Sequence, residues 1–380
     1  MKRSGERILT THAGSLPRPA DLLAQMQNGD DAPKLTARVG AAVKDVVRRQ
    51  ADLGLDVITD GEMSKPSFIT YVTERLSGFT RSPDPGALPW AGSKEVTAFP
   101  EFYEPSLRQS PNASAPRFQC TGPITYRGHA QVQRDIDNLR AALKDQAVEE
   151  AFLPAIAPSN VEGRQVNRHY KTDEDYLFAI AEAMREEYAA IVGAGFLLQI
   201  DDPRLVTYYI LRRDSTVEEC RRWAAVRVEA LNHALRDIPR ERVRFHTCYS
   251  INMGPRVHDM ELKDVVDLIL RVKAGAYSFE AANPRHEHEW RVWQDVKLPE
   301  DAVLIPGVIT QSTVLVEHPE LVAERIARFA SVIGRERVIA GADCGFASFA
   351  GSNEIHPSIV WAKLAALVEG ARLASRQLWK

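Results

Sequence analysis

Two thiols, an imidazole and a carboxylate are spread along this chain as His246-Thr247-Cys248, Glu280 and Cys344, each just beyond a short β-branched or apolar run. His246 and Cys248 stand two apart at the end of a predicted strand, so their side chains leave the same face, a spacing that suits chelation. Thiolate and imidazole select a borderline-soft ion, and zinc is the usual one because it brings no redox reaction of its own. Two thiolates and a carboxylate around Zn2+ leave one net negative charge. An ion that electron-rich is a modest Lewis acid, better at holding a substrate thiol as thiolate than at making hydroxide from water. An isolated His-x-Cys is weak, and a lone cysteine ending a buried strand is more often apolar filler. The placement of all four at strand ends is what points to a catalytic ion.

Eight such runs can be read as strands: 7–12, 55–60, 116–121, 196–201, 243–248, 276–280, 303–307 and 338–343. Stretches of helical length separate most of them, such as Lys34 to Leu53 and Asp175 to Val192, the second stopped by Gly193 and Gly195. Further helices are expected at about 216–236, 260–273 and 317–332. Strand followed by helix, eight times over, predicts an α/β fold: a closed parallel (β/α)8 TIM barrel forming a single domain over 1–380. The ligands then end strands five, six and eight, at the rim where barrel enzymes work. Two stretches break the rhythm, at about 82–118 and 153–174. Loops of that length are expected to be insertions over the active face.

Composition narrows the partners. Lys, Arg, Asp and Glu are mixed along the chain and the net charge is −3, so no basic surface is available for a phosphate backbone and nucleic acid is not expected. Four cysteines, Cys120, Cys220, Cys248 and Cys344, are too few for a disulfide scaffold. Cys120 and Cys220 read as core or helix residues. No apolar run is long enough for a secretory leader or a membrane span, so a cytoplasmic protein is expected. His286 and His288 resemble a metal tract by composition, but read as surface or substrate-contacting residues of a loop.

Several separated motifs resemble the catalytic domain of the cobalamin-independent methionine synthases and their smaller relatives, among them epoxyalkane:coenzyme M transferase. They are Thr11-His12-Ala13-Gly14-Ser15, Asp60-Gly61-Glu62, Thr121-Gly122-Pro123, Gln199-Ile200-Asp201-Asp202-Pro203, His246-Thr247-Cys248, Phe279-Glu280 and Asp343-Cys344-Gly345. The resemblance implies a barrel, a zinc held by His246, Cys248, Glu280 and Cys344, and methyl transfer to zinc-bound sulfur, with homocysteine as the acceptor and a thioether such as methionine as product. It also implies that Glu62 and Asp201 hold the acceptor's ammonium and that Ser15 helps hold its carboxylate. Paired carboxylates suit an ammonium, since the cation neutralises the two anions around it. Glu62 beside Asp60 also fits a structural carboxylate bonded to backbone amides.

Two departures from the large synthases are expected: these residues read as a single barrel, and no tryptophan stands shortly after Thr121-Gly122-Pro123, the next being Trp223. Stacking on a donor then falls to Tyr126 or Trp90, which leaves methyltetrahydrofolate and a methylated corrinoid, with or without a corrinoid protein as partner, both open. Asn167-Arg168-His169-Tyr170 suits a sulfonate or carboxylate. Two other chemistries stand beside methyl transfer. Thiol addition to an epoxide needs an acid, for which His12 and His169 are the candidates. Zinc-dependent hydrolysis or lysis would use Asp201 beside a metal-bound water. Monomer and homo-oligomer remain open.

Overall fold

The computed structural model describes residues 1–28, 32–84, 90–109, 117–250, 253–352 and 355–380. Its strands, in chain order, are β1 Leu9–Thr10, β2 Val57–Ile58, β3 Phe79–Arg81, β4 Phe118–Cys120, β5 Glu150–Ile156, β6 Val166–Asn167, β7 Leu197–Asp201, β8 Val243–His246, β9 Ala276–Phe279, β10 Val303–Ile309 and β11 Ile339–Ala342. Eight of them form one parallel sheet in the order β1-β11-β10-β9-β8-β7-β5-β2. Its two end strands meet at Asp56, whose amide donates to the Thr10 carbonyl (3.2 Å) and whose carboxylate accepts from the Thr10 amide (2.8 Å) and hydroxyl (2.9 Å). The sheet thus curls round into a (β/α)8 TIM barrel, as the strand–helix rhythm requires.

Helices Ala32–Leu53, Asp173–Gly193, Val217–Ala234, Pro319–Ile333 and Pro357–Leu378 lay their apolar faces on the outside of the barrel and make most of the core there. Thr172 and Thr216 cap the second and third of these, each hydroxyl accepting from the amide three residues on. The barrel interior holds two small apolar clusters, Leu9, Ala276, Val303, Ile305 and Ile339, and Val57, Phe152 and Leu197. Between them runs the buried Arg244, its guanidinium 3.8 Å from the Phe152 ring centroid and donating to Thr11 Oγ1 and the His12 carbonyl. Among the described residues no helix is long and apolar enough to cross a membrane.

Two expectations are corrected. The third barrel strand is β5, and the run 116–121 supplies β4 of a separate three-stranded sheet, β3-β4-β6. The physical reason is Pro154 in the middle of β5: a proline cannot donate to a ladder and makes an apolar run look like loop. Pro154 nevertheless stands in the ladder opposite Gln199 of β7, and its carbonyl accepts from the buried Lys65 ammonium (2.6 Å). Consequently 153–174 is no long loop, since it contains the end of β5, the helix Pro158–Arg164 and β6. In the other stretch, 82–118, the helices Lys94–Ala98 and Pro100–Gln109 precede β4, while 85–89 and 110–116 lie outside the described residues.

Candidate active site

Parallel strands bring their carboxyl ends to one mouth, and the sulfur and nitrogen ligands converge there. His246 ends β8, Cys248 follows two residues on, and Cys344 stands two residues past β11. One ligand atom from each of these three buried residues lies within 4.8 Å of the others. The two Sγ atoms are 2.9 Å apart, well beyond the ~2.05 Å of a disulfide, and both cysteines are free. The neighbouring Cys344 thiol, followed by burial, pushes the Cys248 thiol pKa well up, since two adjacent thiolates repel unless a cation lies between them. His246 places Nδ1 3.2 Å from Ser278 Oγ on β9, which leaves Nε2 available. Burial, with the Arg244 charge behind it, holds that imidazole's pKa down at about 3, so the ring is neutral and its lone pair is free to ligate. Two crowded thiols and a neutral imidazole fit a zinc ion by donor type and number.

Glu280 departs from the expected fourfold set. It follows β9 at the same mouth but is not among the three converging residues. Its Oε1 accepts from the Tyr249 amide (2.8 Å), and its Oε2 accepts from Asn283 Nδ2 (2.8 Å) and lies 2.7 Å from Arg256 Nη1. Asp343, just before Cys344, accepts from the amides of Ala281, Ala282 and Asn283 and from the Asn283 side chain, at 2.7 to 3.2 Å. It thereby clamps the loop after β9 to the end of β11. Gly307 makes room for that clamp, since a Cβ there would stand 1.9 Å from Asp343 Oδ1.

A pair of carboxylates adjoins the ligands. Asp201 and His246 are register partners on β7 and β8, which places their backbones at neighbouring-strand spacing, ~4.8 Å. Burial, and after it the Glu62 charge, pushes the Asp201 pKa well above the usual carboxylate range. Gln199 donates to Asp201 Oδ1 (2.8 Å) and to the Ala13 carbonyl (2.6 Å), while its own Oε1 has no partner. Glu62 is 2 % exposed, sits in the left-handed region at φ 59°, and has no partner for Oε2. A non-glycine residue held in that conformation stores strain of about 1–3 kcal/mol, which the surroundings must impose. They do so through Asp60, which accepts the Glu62 amide (3.0 Å), and Arg18, which donates to the carbonyls of Glu62 and Lys65 (both 2.8 Å) and of Ala347 (2.8 Å). Ser15 joins the two halves: Oγ accepts from the Ala347 amide (3.3 Å), and a Cβ on Gly345 would come within 2.1 Å of it.

Other expected site residues lie in different surroundings. His12 is buried with both nitrogens engaged, Nε2 with Gln50 Oε1 (2.8 Å) and Nδ1 accepting from the Gly14 amide (3.2 Å). Burial lowers its pKa to about 4, so it is a neutral strut under Gly14-Ser15 and lacks the free proton an acid needs. Tyr126 is 6 % exposed, and its hydroxyl donates to Glu187 (2.7 Å) in a network with Tyr71 and Arg75, so its ring is no open stacking platform. His169 is exposed beside β6, edge-on to Tyr170. Trp90 is half-buried at φ 67°, in the turn before the helix that Ser93 caps. His286, expected at the surface or on substrate, is buried between Asp259 and Glu289 and stacks on Tyr249, while His288 is exposed. Sequence reasoning missed Arg256, Asp343, Gln199 and Lys65. Of these Asp343, adjacent to Cys344, and Gln199, which opens the segment leading to Asp201, carried a local signal.

The family model described as the catalytic domain of cobalamin-independent synthase matches residues 8–111 and 156–368. The interval it leaves out holds β4 and nearly all of β5. The chain is similar to the methionine synthase of Thermococcus kodakarensis, 25% identical over 378 residues that cover 97% of this chain and 94% of that one. It is similar also to the methionine synthase of Sulfolobus acidocaldarius, 25% identical and covering 98% and 93%. Its fold is shared with a B12-independent methionine synthase from a Shewanella species solved with selenomethionine, at a TM-score of 0.76, 18% identity, and coverage of 98% and 99%.

Proposed function

Because the chain belongs to the cobalamin-independent synthase catalytic-domain family, we propose that it transfers a methyl group to the sulfur of a small thiol, with homocysteine as acceptor and methionine as product. The observation that carries this reading is the meeting of His246, Cys248 and Cys344 within 4.8 Å on the mouth that also holds the buried Asp201 and a Glu62 whose Oε2 has no partner. Sulfur and nitrogen ligands suit a zinc ion, and a bound zinc supplies the Lewis acidity that keeps an acceptor thiol ionised at neutral pH. The Thermococcus and Sulfolobus relatives, named methionine synthases, lend support over nearly the full chain.

The chain's own residues then orient the acceptor. Glu62 offers the free Oε2 and Asp201 a carboxyl whose pKa is raised by burial and then by the Glu62 charge; an ammonium between them neutralises both. Ser15, held against Gly345 and Ala347, meets the acceptor's carboxylate. The buried Asp343 and Arg18 fix the loops on either side, so sulfur and ammonium are presented at a set separation. The methyl donor is methyltetrahydrofolate or a methylated corrinoid, entering from the side of Trp90 and the 82–118 insertion, and the unit that works is one barrel domain. The test is the zinc-loaded protein mixed with homocysteine and each donor in turn, with product mass recorded. A gain of one methyl on sulfur is expected. Protein that holds zinc yet methylates no thiol from either donor ends the proposal.

A further inference from the structure

The sequence marks Asn167-Arg168-His169-Tyr170 for an oxyanion, yet that stretch forms no pocket for one. Arg168 and His169 are exposed, and the Asn167 side chain is spent on its own turn, donating to the Tyr170 carbonyl (3.0 Å) and accepting from the His169 (3.1 Å) and Tyr170 (2.9 Å) amides. Two other arginines stand at the barrel mouth. Arg164 ends the helix Pro158–Arg164 that follows β5, and Arg204 opens the helix Arg204–Leu211 that follows β7, the neighbouring strand. The Arg204 guanidinium lies across Gly163, where a Cβ would stand 1.9 Å from its Nε, so the two arginines adjoin on one patch.

Neither is in ion-pair contact with a carboxylate among the described residues, and Arg164 Nη2 and Arg204 Nε are buried without a partner. The two carboxylates whose charge reaches Arg204 are engaged by other groups. Glu162 is ion-paired with Arg227, and Asp202 accepts from the Ser159 hydroxyl (2.6 Å), the Asn160 side chain (2.9 Å) and the Leu205 amide (3.2 Å). Burial, and after it the Arg117 charge, lowers the Arg164 pKa to about 10, and burial lowers that of Arg204. Arg204 also stands at the positive end of its helix, where the backbone dipole opposes a cation and favours an anion. Buried guanidinium nitrogens left without acceptors are costly, and an arriving oxyanion removes that cost.

We propose that Arg164 and Arg204 form an oxyanion site that holds the charged end of the methyl donor, a carboxylate or a phosphate group. The inference rests on the methyl-transfer reading above and adds the chemistry by which the donor is recognised. Methyltetrahydrofolate brings the carboxylates of its glutamyl end, and a methylated corrinoid brings the phosphodiester of its nucleotide loop; a guanidinium fork suits either. The location agrees with the donor's side of the mouth. Arg117 belongs to the 82–118 insertion, and Lys94 of the same insertion donates to the carbonyls of Arg213 (2.8 Å) and Ser215 (2.9 Å), just past Arg204–Leu211. Arg204 also lies close behind Asp201 in the chain, so the end of β7 offers negative charge to the acceptor's ammonium and positive charge to the donor.

The test has a turnover arm and a binding arm, run on zinc-loaded wild type, Arg164→Gln, Arg204→Gln and Gly163→Ala, the last of which pushes the Arg204 guanidinium aside without removing its charge. With homocysteine as acceptor, each variant should raise the donor's KM by about tenfold or more, the worth of a hydrogen bond to charge, while kcat and the homocysteine KM stay within about twofold. Neutral donors give the readout that a merely structural role would not move. Methyltetrahydrofolate diamide, whose carboxylates are blocked, or methylcobinamide, which lacks the phosphodiester, should show the raised KM already with wild type and no further rise in the variants; the pair that responds identifies the donor. In calorimetry, tricarballylate and pyrophosphate should bind wild type and lose about tenfold or more in affinity in each variant. A donor KM that is the same for charged and neutral donors in wild type overturns the proposal and leaves methyl transfer standing, even if the arginine variants fail to fold. Protein that methylates no thiol ends the methyl-transfer reading instead, and calorimetry then decides the oxyanion site alone: no binding of either anion, or binding that the variants leave unchanged, overturns it.

Discussion

The two sides of the barrel mouth differ in how completely they satisfy themselves. On the side of β8, β9 and β11 the carboxylates beside the ligands are held by protein groups: Asp343 collects four donors, Glu280 two donors and an ion pair with Arg256, and His246 leans on Ser278. What remains there is a nitrogen and two crowded sulfurs. On the side of β1, β2 and β7 the acceptors are left open, with Glu62 Oε2 and Gln199 Oε1 buried and unpartnered, Glu62 strained, and Asp201 disfavoured as an anion. Buried polar atoms without partners cost about 1–3 kcal/mol each. The contrast teaches that the first side is finished except for an ion, while the second is finished only by a ligand that carries hydrogen-bond donors and positive charge.

The sharpest way to break this contrast is on the metal side. Cys248→Ser and Cys344→Ser should each lower zinc affinity by more than about 100-fold, beyond what loss of an outer partner costs, and should abolish methyl transfer; chelator competition and product mass check both. On the open side the loss should fall on one substrate feature. Glu62→Gln or Asp201→Asn should keep zinc but reduce kcat/KM for homocysteine by about 10- to 100-fold, the value of one or two hydrogen bonds to charge. The same variants should be indistinguishable from wild type with 3-mercaptopropionate, a thiol without the amino group; an equal loss there would mean that the two carboxylates serve something other than an ammonium.

A subtler effect is on stability. Since the folded state raises the Asp201 pKa above its unfolded value, the folded chain binds that proton more tightly, and unfolding stability falls as pH rises from the ordinary carboxylate range through the raised value. Asp201→Asn, which carries no titrating proton, should therefore melt higher than wild type at neutral pH, and the advantage should shrink as pH is lowered toward 4; thermal melts across pH decide it. The smallest change is expected away from both sides. Tyr126→Phe removes the hydrogen bond to Glu187 and should cost about 1 kcal/mol of stability while leaving kcat/KM within about twofold, as steady-state assays and denaturant melts would show.

Much of this was legible in short runs. The strand ends at Asp201, His246, Phe279 and Ala342 follow β-branched or apolar stretches, and of the converging ligands His246 ends its strand while Cys248 and Cys344 stand two residues beyond theirs, so local pattern places them. β5 was hidden because Pro154, which cannot donate to a ladder, argues against a central strand. His12 and Tyr126 were misread for a related reason: what decides their chemistry is a contact with Gln50 in one case and Glu187 in the other, and nothing nearby in the chain announces either. Arg256 is the extreme case, an arginine just after Gly254-Pro255 whose inward course depends on Glu95, more than a hundred positions away. Local periodicity reports elements; it does not report which long side chains fold back under them.

Asp343 carries one last consequence. Because its four bonds tie the loop after β9 to the residue preceding Cys344, and Gly307 leaves the space for it, protein atoms alone fix the shape of the rim. The ion is then a tenant and not a keystone: stripped by a chelator, the protein keeps its architecture and an empty socket of the right shape, and reloading is a matter of diffusion and deprotonation, with no refolding step between.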